Sequence, residues 1–194
     1  MKVLYLMRHG ETLFNTQKKI QGWCDSPLTE NGIHQAQVAG KYFADHGITF
    51  DHAYSSTSER ACDTLEQVLA ASGQTDLPYE RVKGLKEWNF GRFEGKDECL
   101  NPPLPYGDFF ATYGGEKQTE VIERIRTTIA DLMARDNHDS VLMVSHGGIA
   151  ANFAKSWDEA ARVHFTRGFK NCGIFRFEVE DGRFILTDII YHEF

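Results

Sequence analysis

Short dense apolar runs and longer periodic stretches take turns along this chain. Val3 to Met7 is a continuous apolar run that ends at Arg8-His9-Gly10, which reads as a buried strand entering a glycine turn. Residues 11–28 show no period and read as irregular. Behind Pro27-Leu28, Thr29 stands where a helix cap is needed, and Ile33, Ala36, Gly40 and Phe43 follow on one helical face until Gly47. A short strand over 52–55 comes next. A helix over about 58–72 then carries Ala61, Leu65, Val68 and Leu69 on one side, with Gly73 as its stop. Residues 79–85 make a weak strand.

Residues 91–115 differ in character, with Pro102, Pro103 and Pro105 close together and Tyr106, Phe109, Phe110 and Tyr113 behind them. A stretch this long without a period is expected to be a surface excursion, and such loops in small domains are commonly functional lids. Helical spacing returns over about 116–135 with Val121, Ile125, Ile129 and Leu132. Val141 to Val144 is a second buried strand and runs into Ser145-His146-Gly147-Gly148 and a helix. Two final runs, 174–179 and 184–189, flank Asp181-Gly182, a dipeptide suited to a type I′ hairpin. Strands alternating with helices imply an α/β fold. The expectation is a single domain over 1–194, its mostly parallel central sheet flanked by helices on both faces, with a C-terminal antiparallel hairpin at the edge.

Composition narrows the function classes. The 194 residues are 41% apolar and 25% charged, which suits one domain with a sizeable core and excludes a disordered chain. Twenty-one Lys and Arg against 28 Asp and Glu give a net charge of −7. That balance argues against nucleic acid and against an anionic membrane surface as partners, since both demand a basic face. Cys24, Cys62, Cys99 and Cys172 form no metal-binding spacing. The N-terminal apolar run is too short for a secretory signal, so reduced thiols and a cytoplasmic location are expected. Nothing in the sequence specifies an oligomeric state.

In parallel sheets, ligands sit beyond the carboxyl ends of the strands. Arg8 and His9 follow the first strand. Ser55-Ser56 and then Arg60 follow the second, and Ser145-His146-Gly147-Gly148 follows the later buried strand. One rim thus collects arginines, histidines and glycine turns whose backbone N–H groups can meet a ligand, and a helix N-terminus favours an anion there. These residues together describe a phosphate pocket. Gly91 to Asp97 is not a nucleotide-binding loop, because only three residues separate its glycines and Asp97 stands where Ser or Thr is required. Ser145 is not a nucleophile elbow, because Met143 occupies the first glycine position. A metal held by His9, His146 and a carboxylate would be repelled by the neighbouring arginines, so no metal and no cofactor is expected.

Arg8-His9-Gly10-Glu11-Thr12 resembles the signature of the histidine phosphatase superfamily, the phosphoglycerate-mutase-like proteins. The resemblance continues through Asn15, Gly22-Trp23, the run Asp25 to Gly32, Ser55-Ser56 with Arg60, and Leu85-Lys86-Glu87 with Phe90-Gly91 and Glu94-Gly95. Ser145 to Gly148 and Asn171-Cys172-Gly173 complete it, in family order across nearly the whole chain. It implies one histidine phosphatase domain with a lid-like excursion at about 91–115, acting on a small phosphorylated metabolite. By the resemblance His9 is the nucleophile, Arg8 and Arg60 hold the phosphate oxygens, and His146 adds a further donor. Asn15, Gln21, Gly22 and Gly147 are expected to complete the phosphate cradle. Glu87 matches the family's general acid; burial would raise its pKa and the arginines would lower it.

The mutases of this family carry Glu-Arg-His-Tyr-Gly where this chain has Glu87-Trp88-Asn89-Phe90-Gly91, and they place an arginine pair in a middle insertion. Here 97–116 holds no Lys or Arg. A metal-independent phosphatase is therefore expected ahead of a mutase, with a domain that binds phosphorylated ligands without turnover as the alternative outside enzymes. The aromatic residues of 91–115 either form an apolar lid or pack back on their own domain. Trp23 is expected to pack the site loop, and the histidines at 34, 46, 52, 138, 164 and 192 to be solvated.

Overall fold

The computed structural model describes residues 1–193. Buried on both sides, Lys2–Arg8 forms β1 near the middle of the sheet. Its successive side chains point to opposite faces. Leu4 and Leu6 enter one core with α4 (Gln118–Met133) and α5 (Gly147–Lys155), while Tyr5 and Met7 enter another with α2 (Glu30–Asp45) and α3 (Glu59–Ala71). Helices therefore cover both faces, as the continuous apolar runs require.

The remaining strands are β2 (His52–Ser56), β3 (Tyr79–Val82), β4 (Ser140–Ser145), β5 (Ile174–Glu180) and β6 (Arg183–Ile190). Their order is β3-β2-β4-β1-β5-β6. The first four are parallel, and β5 and β6 close one edge antiparallel. Asp181 and Gly182 turn that hairpin at φ +48° and +74°, the left-handed pair a type I′ turn demands.

Several local expectations shift. The irregular 11–28 region contains one helical turn, α1 (Leu13–Thr16), capped by Thr12 in a reciprocal pair with Asn15. In α2 Ile33 is only half-buried; Gln35 goes inside instead, because its Oε1 accepts from the Glu11 N–H at 2.9 Å. The weak strand ends at Val82 and tightens into a 3₁₀ turn over Lys83–Leu85. His138 is not solvated: it is 3% exposed, stacked on His52 at 3.7 Å, and 2.6 Å from the Tyr54 hydroxyl. A ring that sits between a stacking partner and a hydroxyl loses less than one left unpaired.

The 91–115 segment is ordered by 3₁₀ turns at Gly91–Phe93, Glu98–Leu100 and Phe110–Tyr113. Phe93, Phe109 and Tyr113 meet edge to face around fully buried Phe110, the arrangement that aromatic quadrupoles favour. Leu100 and Leu104 remain exposed. Among the described residues no helix is long and apolar enough to cross a membrane, and no cluster of His, Cys, Asp and Glu could hold a metal.

Candidate active site

Register places the site. β1 and β4 pair so that Arg8 lies opposite Ser145, and β2 pairs with β4 so that Ser55 lies opposite Val144. The residues that follow these strands emerge side by side at one rim. There His9 donates its backbone N–H to the Ser145 carbonyl at 3.0 Å, and the His9 and His146 rings stand 5.3 Å apart, edge to face.

His9 is 4% exposed. Its Nδ1 lies 2.7 Å from the Gly10 carbonyl, which can only accept, so Nδ1 carries the proton and Nε2 keeps its lone pair. Burial, with Arg60 and Arg8 adding positive charge, pushes its pKa well below the usual imidazole range. The ring is therefore neutral, with an unprotonated Nε2. His146 is fully buried and is shifted the same way by the same causes. Its Nε2 lies 2.8 Å from Ser56 Oγ, and its buried Nδ1 has no protein partner.

Other groups around His9 are also donors without partners. Arg8 gives one Nη to the Phe169 carbonyl at 2.6 Å while its Nε is buried and unpaired. Gln21 accepts from Ser26 and Thr12 hydroxyls on Oε1, at 2.8 and 3.0 Å, and leaves Nε2 unpaired. Asn15 has its oxygen occupied by the Thr12 N–H and by Asn171, so its NH₂ is the group left for a ligand. A buried donor left unpaired costs about 1–3 kcal/mol. A site that gathers several of them around His9, with the Arg8 guanidinium among them, suits an anion.

Arg60 and Gly22 stand behind the cavity wall instead of on it. The Arg60 guanidinium, fully buried, donates to the Gly22 carbonyl at 2.8 Å, the Cys24 carbonyl at 3.0 Å and Asp25 Oδ1 at 2.8 Å, leaving Nε unpaired. The loop that holds it is held in turn by Glu94, whose carboxylate accepts the N–H groups of Gly22, Trp23, Cys24 and Phe90 at 2.8–3.1 Å. Trp23 adds an indole N–H to the Glu87 carbonyl at 2.9 Å, which packs the site loop as expected from sequence. Burial and Glu94 push the Cys24 thiol up to about 12, so it is not a nucleophile.

Glu87 is 6% exposed and caps the start of α5, accepting from Gly148 at 2.8 Å on Oε2 and from Ile149 at 2.9 Å and Trp88 at 2.8 Å on Oε1. A Cβ on Gly148 would stand 2.8 Å from Oε1 and displace the carboxylate. Burial raises the Glu87 pKa, and it outweighs the backbone N–H bonds and the two arginines, which pull the other way. Oε2 has only one donor, so a proton on that oxygen faces no competing N–H. Arg124 fixes the strand end behind it, donating to the carbonyls of Gly84, Lys86 and Glu87 and pairing with Glu116 at 2.8 Å. Neither Glu94 nor Arg124 was assigned a role from sequence. Glu94 was visible only as part of a motif, and Arg124 reads as one more polar residue on an amphipathic helix.

Arg8, His9, Asn15, Gln21, Glu87 and Gly147 open on one cavity of about 570 Å³. His146 and Arg60 are fully buried and do not line it. Leu104, Pro105 and Tyr106 form part of its wall, so the 91–115 segment packs on its own domain through Phe110 and still faces the cavity.

The family model of the histidine phosphatase superfamily (branch 1) matches residues 4–190. Among solved structures, a phosphoglycerate mutase from Bacillus anthracis str. Sterne is 31% identical, over 96% of this chain and 91% of its own, with a TM-score of 0.86. The Bacillus stearothermophilus protein YhfR is 29% identical over 96% and 95%, with a TM-score of 0.81. A phosphoserine phosphatase from Entamoeba histolytica, solved in complex with 3-phosphoglyceric acid, is 29% identical over 100% and 98%, with a TM-score of 0.78.

Proposed function

The chain belongs to the histidine phosphatase superfamily, and on that premise we propose that it is a metal-independent phosphatase that hydrolyses small phosphomonoesters through a phosphohistidine on His9. One observation carries the reading: a neutral imidazole with a free Nε2 lies among buried donors that lack partners. Phosphoryl transfer needs positioning and charge stabilisation more than covalent chemistry from the protein.

His9 Nε2 attacks phosphorus, forming N–P as the ester P–O bond breaks. The leaving oxygen takes the proton of Glu87 Oε2. Arg8, Gln21 and Asn15 donate to the phosphoryl oxygens, and His146 Nδ1 and the Gly147 N–H at the head of α5 face the charge that builds there. Arg60 stabilises that charge from behind the wall. A water then attacks phosphorus, giving a proton to Glu87 as N–P breaks; inorganic phosphate leaves and His9 returns to its neutral form.

The similarity to a named mutase raises the competing reaction. A phosphoglycerate mutase must grip a carboxylate next to the reacting oxygens. Near Glu87 this chain offers Trp88, whose indole is bonded to the Glu116 carbonyl at 2.8 Å, and Asn89, whose Oδ1 accepts from Gly91 at 2.9 Å. Neither is a free cation, and this supports hydrolysis. Incubation with 3-phosphoglycerate and, separately, with p-nitrophenyl phosphate tests it. Release of inorganic phosphate in step with alcohol is expected; interconversion of 2- and 3-phosphoglycerate without phosphate release would overturn the phosphatase reading.

A further inference from the structure

The cavity is much larger than a phosphoryl group, and its wall carries charges the reaction does not use. Gly148, Ala151, Asn152 and Lys155 all line it, and their spacing is that of one helical face. α5 therefore runs along the cavity, from the end that Glu87 caps to Lys155, a rise of about 10 Å over that face. Arg167 lines the same cavity from the segment whose Phe169 carbonyl is bound by Arg8. Among the described residues neither Lys155 nor Arg167 has an ion-pair partner. Lys19, the other lysine on the wall, is bound to Asp97 at 2.6 Å. Glu98 lies on the wall made by the 91–115 segment, so an anionic group is repelled from that side and drawn to α5.

Lys155 alone has a structural explanation, since a cation in the last turn complements the helix dipole. Arg167 does not: it lies outside any helix or strand and shares only the cavity with Lys155. We propose that Lys155 and Arg167 form a second anion subsite, so that the preferred substrate is an elongated phosphomonoester whose leaving group ends in a carboxylate or phosphate. The helix rise sets that group roughly 10 Å from the reacting phosphorus. This is farther than a phosphoglycerate reaches. Tyr106 and Phe165 also line the cavity and offer apolar surface to a ring or chain. The inference rests on the phosphatase reading and adds a substrate class to it.

Biphenyl-4-yl phosphate and 4′-carboxybiphenyl-4-yl phosphate test it, because their leaving groups share one biphenyl frame and differ in one distant charge. The wild type is expected to favour the carboxylated ester in kcat/KM by about fivefold to tenfold, a preference that shrinks with added salt. In the double variant Lys155→Ala/Arg167→Ala the ratio falls to about one. A wild-type ratio at or below one, or a ratio the double variant leaves unchanged, overturns the subsite. If p-nitrophenyl phosphate is hydrolysed and neither biphenyl ester is, the subsite fails while the phosphatase reading stands. If none of the three is hydrolysed, both fail.

Discussion

At the scale of single residues, opposite pKa shifts suit two buried groups to the proposed roles of nucleophile and acid. Burial and the arginines push the His9 pKa well below the usual imidazole range, and burial, outweighing the backbone donors and the arginines, raises that of Glu87 above the usual carboxylate range. Glu87→Gln keeps the volume and removes the proton, so turnover of an alkyl phosphate falls about 10²- to 10⁴-fold. An aryl phosphate loses less in the first step, because its leaving group needs little protonation. Equal losses on both substrates, measured by single-turnover kinetics, would contradict the acid role. Arg8 and His9 are legible at one rim because they follow a strand end, and Glu87 is marked in sequence only by the family resemblance. The direction of the Glu87 shift was not legible, because sequence names the opposing charges without the burial that decides between them. Arg60 was read as a direct phosphate ligand, yet its guanidinium faces the carbonyls of Gly22 and Cys24, contacts made by a loop whose path has no period to reveal it.

At the scale of elements, the nucleophile loop rests on α2 through paired glycines. A Cβ on Gly10 would overlap the Gly32 carbonyl, and one on Gly32 would overlap the Glu11 carbonyl. Gly32→Ala must push the two backbones apart, at a cost of about 1–3 kcal/mol in stability, and it displaces His9 from its partners. Urea unfolding and kcat should fall together; a stable variant with full kcat would show that the contact is slack. The elements themselves were readable from hydrophobic period, down to the Thr29 cap, which accepts from Gly32 at 3.0 Å, and the Asp181-Gly182 turn. The long-range ties were not. Glu94 gathers N–H groups of two loops about seventy residues apart, and Arg124 holds a strand end nearly forty residues away. Such ties depend on folded proximity, and no local pattern marks them.

At the scale of the whole molecule, a chain of net charge −7 encloses a pocket in which Arg8 and Gln21 keep unpaired donors. The pH profile follows from the two shifts. Transfer requires neutral His9 and protonated Glu87, so the acid limb of kcat/KM lies below 6.5 and the alkaline limb above 4.5. Activity is therefore expected to fall on the acid side as His9 protonates and on the alkaline side as Glu87 ionises; a profile with no alkaline limb would contradict the assignment. Stability moves differently. His9 and His146 have depressed pKa values when folded, so the unfolded chain binds more protons and stability falls as pH drops below 6.5. The most direct test of the proposed chemistry is to quench the wild type during turnover of p-nitrophenyl phosphate under alkaline conditions and map the bound phosphoryl group by mass spectrometry. One acid-labile group on His9, absent from His9→Ala along with turnover, is the predicted result; turnover with no label, a label elsewhere, or an active His9→Ala would contradict it.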